Sequence, residues 1–141
     1  MGRIMAIDYG KVRTGLAVTD PVRIIATALA TVETSRVLTY IKDFCAREEV
    51  DIFVVGDARH MDGTPSESMQ YIEPFVETLR QAFPSKEVAR VDERFTSKMA
   101  FQAMIDSGVK KKDRRDKGMI DRIAATLILQ TYMNTLNNKK I

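Results

Sequence analysis

Apolar positions come in short runs before residue 33 and in longer periodic stretches after it. Arg3 to Asp8 (RIMAID), Gly15 to Thr19 (GLAVT) and Ala26 to Val32 (ATALATV) read as three strands, broken at Gly10 and at Asp20-Pro21. Connections this short favour antiparallel neighbours. Then the rhythm changes. Thr34 or Ser35 caps a helix reaching about Glu49, with Val37, Leu38, Ile41, Phe44 and Cys45 on one face. Asp51 to Gly56 (DIFVVG) is an unbroken apolar run, as expected of a central strand buried on both faces. A second helix begins at Ser66 or Ser68, carries a stripe of Met69, Ile72, Phe75, Val76, Leu79 and Phe83, and ends at Pro84. Glu87 to Asp92 is a further strand. Thr96 caps a helix to about Asp106, stopped by Gly108. The last helix runs from about Met119 to Leu136, with Ile120, Ile123, Ala124, Leu127, Ile128 and Thr131 inward.

Three strands followed by strand–helix alternation predict an α/β fold. Its sheet is mixed and five-stranded, antiparallel in the first three strands and parallel thereafter, with helices on both faces. This is the arrangement of ribonuclease H-like domains. With 141 residues and no internal repeat or low-complexity linker, residues 1–141 read as a single domain.

Composition narrows the chemistry. Twenty-two basic and nineteen acidic residues leave a net charge of +3, which permits a polyanionic partner without demanding one. The single cysteine excludes an intrachain disulfide and a cysteine-built zinc site, and points to a reducing compartment. Cys45 sits on an apolar stripe and reads as a core thiol. No apolar run approaches the roughly 18 residues of a membrane span, and the N-terminus reads as a strand rather than a signal peptide. The expectation is a cytoplasmic protein.

Three carboxylates then stand out. Asp8 closes the first strand, where α/β sheets bind ligands, although a turn-forming role ahead of Gly10 is equally compatible. Asp92 and Glu93 close the last strand. Neighbours on a regular strand face opposite sides, so only one of them can join Asp8. Asp121 falls in the first turn of the last helix, where it either complements the helix dipole or, on the inward side, needs a partner. Converging carboxylates require a cation. Oxygen ligands suit Mg²⁺ or Mn²⁺, and two such ions roughly 4 Å apart can activate water against a phosphodiester. His60, in a polar loop, reads as a surface residue. Met61-Asp62-Gly63-Thr64 reads as a turn, and Tyr9 as either packing or a base-stacking group.

Basic groups surround these acids. Residues 110–117 hold six basic and two acidic side chains directly before Asp121. Lys110, Lys111, Lys112, Arg114, Arg115 and Lys117 there are candidate phosphate contacts, as are Lys11, Arg13 and Arg94. Gly10 and Gly15 would let backbone approach a ligand.

IDYGKVRTGLAVTD at 7–20, MDGTPSESM at 61–69, VDERFTSKMA at 91–100 and IDRIAATLILQTYM at 120–133 resemble the YqgF/RuvX family, in order and over nearly the whole chain. The DERFTS form and the Lys-rich loop resemble its Bacteroidetes branch. The resemblance implies a ribonuclease H-like fold, a nuclease of pre-16S rRNA 5′-end maturation or a Holliday junction resolvase, and acidic positions at Asp8, Glu93 and Asp121. One departure is Asp57-Ala58, where many members carry Leu-Pro. Precursor rRNA is the favoured partner and branched DNA the alternative. No apolar stripe demands a dimer, so a monomer is favoured over a homodimer. Two rival readings share features of the sequence. One is an ATP-binding protein of the actin–hexokinase type, whose phosphate loop also begins Asp-x-Gly, although one domain is too small for it. The other is a non-catalytic RNA- or ribosome-binding module of the same fold.

Overall fold

The computed structural model describes residues 2–60, 62–93 and 117–138. Five strands, β1 (Arg3–Asp8), β2 (Arg13–Thr19), β3 (Ala26–Glu33), β4 (Val50–Asp57) and β5 (Glu87–Asp92), form one sheet in the order β3-β2-β1-β4-β5. β1 pairs antiparallel with β2, and β2 with β3; β1–β4 and β4–β5 are parallel. This is the mixed sheet expected from the sequence. The expected helix from Thr96 to Asp106 lies outside the described residues.

Alternation along the central strands builds two cores. Met5 and Ile7 of β1, with Phe53 and Val55 of β4, face one side. There they pack against α1 (Val37–Arg47) and α2 (Met69–Ala82). Ile4 and Ala6, with Ile52 and Val54, face the other side, against Ala125, Ile128 and Leu129 of α3 (Lys117–Asn138). β4 is buried on both faces, as its unbroken apolar run predicts. β3 is an edge strand and half-exposed, which accounts for its weak alternation.

The helix starts depart from expectation. A short 3₁₀ turn (Thr34–Arg36) precedes α1, and neither helix has a side-chain cap bond. The Thr34 hydroxyl donates to the Gly10 carbonyl at 2.6 Å and lies 2.9 Å from the Thr14 hydroxyl. It ties down the β1–β2 turn instead of the helix. Pro74 lies inside α2, where it cannot offer an N–H to the carbonyl of Gln70 one turn earlier. Cys45 is partly buried against the α1–α2 core, and desolvation pushes its thiol pKa up, as for an inert thiol.

Candidate active site

β1, β4 and β5 run parallel, so their carboxyl ends share one edge of the sheet, and each ends on an acidic residue. Alternation assigns their faces. Asp8 follows Ile4 and Ala6 by twos and faces α3. Glu93 follows Ala89 and Val91 in the same way and faces α3 as well. Asp92 therefore falls on the α2 side. Continued regularity past the strand end selects Glu93, and a backbone bond from Glu93 N–H to Asp57 O at 3.1 Å carries that regularity on.

Asp8 and Glu93 meet through a side-chain hydrogen bond. Desolvation raises the Asp8 pKa to about 6; the bond to Glu93 opposes the rise and the charge of Asp121 adds to it. Desolvation also raises Glu93, to about 9, with further upward pushes from Asp8 and Asp57 against a downward pull from Arg90. Burial and mutual repulsion thus favour a proton shared by the pair over two negative charges.

Two glycines make this geometry fit. A β-carbon on Gly56 would collide with the Glu93 carboxyl and stand 2.9 Å from Ile128 Cδ1. A β-carbon on Gly15 would collide with the backbone carbonyl of Asp121. Gly15 therefore makes room for α3, not for a ligand, correcting the sequence expectation. Gly10 is also structural, because a side chain there would strike the Arg13 carbonyl.

Asp121 lies one turn into α3 rather than in its first turn, so the helix dipole explains little of its placement. Its carboxylate accepts a bond from Arg13 Nε at 3.0 Å. Arg13, expected to meet phosphate, is thus paired, although 40% of its side chain remains exposed. Gly118 and Arg122 anchor the start of α3 to β3. The Thr31 hydroxyl donates to the Gly118 carbonyl and accepts from Arg122 Nη1 at 3.2 Å.

Among the described residues, no three histidine, cysteine or acidic side chains stand close enough together to hold a metal ion between them. The donor set nonetheless fits a hard cation. Asp8 and Glu93 are desolvated, all-oxygen and held together by a proton, and Asp121 is near enough for its charge to act on Asp8. A divalent cation would relieve the cost that the proton now relieves.

The other expected contacts divide by location. Lys11 is exposed at the tip of the β1–β2 turn. Arg94, Lys110, Lys111, Lys112, Arg114 and Arg115 lie outside the described residues. Lys117 begins α3. His60 is exposed, as expected, and the Asp62–Thr64 turn closes on the Asp62 carboxylate, with Gly63 at φ 90°.

Behind the site stands a charged cluster around Asp57, the departure noted in the sequence, with Arg59, Arg90 and Glu73 as partners the sequence did not indicate. Asp57 pairs with Arg90 and, at 3.5 Å, with Arg59; Arg90 also reaches Glu73 of α2 at 2.8 Å. The extra charge of Asp57 is thereby compensated within the fold. Also unforeseen are the exposed side chains of Val22, Ile24 and Ile25 between β2 and β3.

Comparison with known proteins accords with this picture. Curated relatives named "Putative pre-16S rRNA nuclease" occur in Flavobacterium johnsoniae (50% identical over 96% of this chain and 98% of the relative) and Parabacteroides distasonis (50% identical, 96% of each). Another of that name, in Porphyromonas gingivalis, is 52% identical over 95% of this chain and 97% of the relative. The family model described as "RuvX: Holliday junction resolvase" matches residues 2–135, and the sheet order and helix placement are those of the family's ribonuclease H-like fold. The chain belongs to the RuvX family.

Proposed function

We propose that this chain is a metal-dependent endonuclease that hydrolyses phosphodiester bonds in precursor 16S rRNA. It acts as a cytoplasmic, single-domain monomer with Asp8, Glu93 and Asp121 as metal ligands. The observation that carries the reading is the desolvated Asp8–Glu93 pair at the carboxyl edge of the parallel strands, with Asp121 beside it. The relatives' names supply the substrate.

One or two Mg²⁺ or Mn²⁺ ions at these carboxylates would acidify water and neutralise phosphate charge. The chain's own residues do the rest. With a cation bound, the proton shared by Asp8 and Glu93 would pass to solvent and both carboxylates would serve as ligands. The close approach of Gly15 sets the position of Asp121. Lys11 and Arg13, with Arg94 and the basic residues of the 110–117 segment, hold the phosphate backbone without reading its sequence.

A second reading, cleavage of four-way DNA junctions, is favoured by the family's description. Cutting two strands symmetrically needs a two-fold dimer, and Val22, Ile24 and Ile25 offer apolar surface for one. The deciding assay presents precursor 16S rRNA and a four-way junction side by side, with and without Mn²⁺. Parent protein should cut the RNA only with metal, and Asp8→Asn and Asp121→Asn should bind it without cutting. If both variants cut as well as the parent, the site is wrong. Binding without turnover under either metal would instead identify a non-catalytic binding module.

A further inference from the structure

On the opposite side of β1 from Asp8, α2 and the 3₁₀ turn leave an open cleft of about 390 Å³. Its volume lies in the range of small-molecule pockets, roughly 300–1,000 Å³. The next residue along the chain from Asp8, Tyr9, forms part of its wall. The Tyr9 ring stacks on Phe75, with centroids 4.3 Å apart and planes 22° apart, and lies 6.2 Å from Tyr71 in a tilted arrangement. The wall is therefore a fixed aromatic surface, braced from behind by the α1–α2 core. The Tyr71 hydroxyl is tied to Ser68 Oγ at 3.0 Å, and Thr34 is held by Gly10, so the rim is fixed as well.

The chemistry of the lining is selective. Among the described residues, every lining side chain is uncharged, which disfavours phosphate and suits a flat neutral group. Gln70 is exposed on the rim and offers both an amide donor and an amide acceptor. Pro74, also in the lining, has no N–H to give to the Gln70 carbonyl one turn earlier. A flat, apolar-faced ligand with donors and acceptors on its edge matches this combination. Tyr9 follows Asp8 in the chain, so the cleft and the carboxylates lie on opposite faces of the same strand end.

We infer that the cleft walled by Tyr9, Tyr71 and Phe75 is a nucleobase subsite. It takes one unpaired base of the substrate strand where that strand rounds the carboxyl end of β1 from the phosphate at Asp8, with Gln70 meeting the edge of that base. This rests on the proposed nuclease function. It adds a requirement for a locally unpaired nucleotide at a fixed step from the cut. Stacking on aromatic side chains is tolerant of base identity, so the subsite selects single-stranded character more than sequence.

The test measures binding and cutting separately. Short single-stranded RNAs spanning the cleavage position, each lacking one base in turn, are titrated against the full chain in Ca²⁺ by fluorescence anisotropy. One abasic position should weaken binding about tenfold or more, and the others little. Tyr9→Leu and Gln70→Ala should weaken binding of the intact RNA and lose most of the difference between intact and abasic forms. Tyr9→Phe should restore it, and thermal melts confirm folding. Gln70 is exposed, so its variant reports even if Tyr9→Leu does not fold. A uniform abasic profile on the parent protein, or variants that keep the full difference, would overturn the subsite. Failure of the parent to bind any RNA removes the nuclease reading and the subsite with it. Binding with the expected profile but no cleavage in Mn²⁺ removes the nuclease reading alone.

Discussion

The carboxyl group of Glu93 occupies the space that a β-carbon on residue 56 would fill, so Gly56 is the residue that lets Glu93 reach Asp8. The strand order places β4 between β1 and β5, and Asp8 and Glu93 approach each other across the glycine. Gly56→Ala should therefore act on the site more than on the fold. The added methyl forces Glu93 aside or pushes Ile128, at a cost of about 1–3 kcal/mol for overpacking. Cleavage should fall at least tenfold while the protein remains folded by circular dichroism. Activity within twofold of the parent would show that Glu93 does not need that path to Asp8.

Legibility in the sequence depends on whether a feature is local. β1 and β4 are legible because burial on both faces writes itself into a run of apolar residues, whereas half-buried β5 shows only Val88, Ala89 and Val91. Asp8 and Asp121 are legible as candidates, and Glu93 through its family motif. Choosing Glu93 over Asp92 from the residues alone requires knowing that extended geometry persists beyond β5. The roles of Gly15 and Gly56 are not legible at all. Each depends on what crosses the strand from more than 30 residues away in sequence, Asp121 in one case and Glu93 in the other. Thr34 misleads for the same reason. A threonine before a helical stripe reads as a cap, but a turn 24 residues earlier claims its hydroxyl.

The metal-free protein should lose stability as pH rises. Asp8 is raised from 3.8 to about 6 and Glu93 from 4.5 to about 9, in both cases chiefly by desolvation. The folded state therefore binds more protons than the unfolded chain from about pH 4 to about pH 9, and stability falls across that window. Melts in chelator between about pH 5 and pH 9 should show Tm declining by several degrees. Asp8→Asn should reduce the decline, because it removes one titrating group and the negative charge that adds to the desolvation of Glu93. Saturating Mg²⁺ should raise Tm more at high pH than at low pH, where it competes with protons. A flat Tm in chelator would mean that the pair is solvated.

The basic segment at 110–117 makes a separate, electrostatic prediction. Replacing Lys110, Lys111 and Lys112 with glutamine should weaken RNA binding and reduce the salt slope by about 0.7 for each phosphate no longer neutralised. The turnover of bound RNA should change less than its affinity, because backbone contacts position the strand without touching the reaction. An unchanged slope would leave the segment as a solvated connector.

Arg13 makes the sharpest demand on the proposed site, because its guanidinium now pairs with the carboxylate assigned to the metal. Its pairing atom lies 3.0 Å from Asp121 Oδ2, and solvent reaches 40% of its side chain. If Arg13 stands in for the metal at Asp121 and turns to phosphate when the site is loaded, Arg13→Gln has two opposite effects. It removes a competing positive charge, so Mn²⁺ should bind several-fold more tightly, as measured calorimetrically without RNA. It also removes a cation that meets phosphate, so RNA affinity should fall and the salt slope should drop by about 0.7. A purely structural ion pair predicts a different outcome. The exposed bridge would contribute about 0–1 kcal/mol to stability, and neither metal nor RNA affinity would move. Weaker metal binding in the variant would place Arg13 among the groups that orient Asp121, and the exchange between arginine and cation would be wrong.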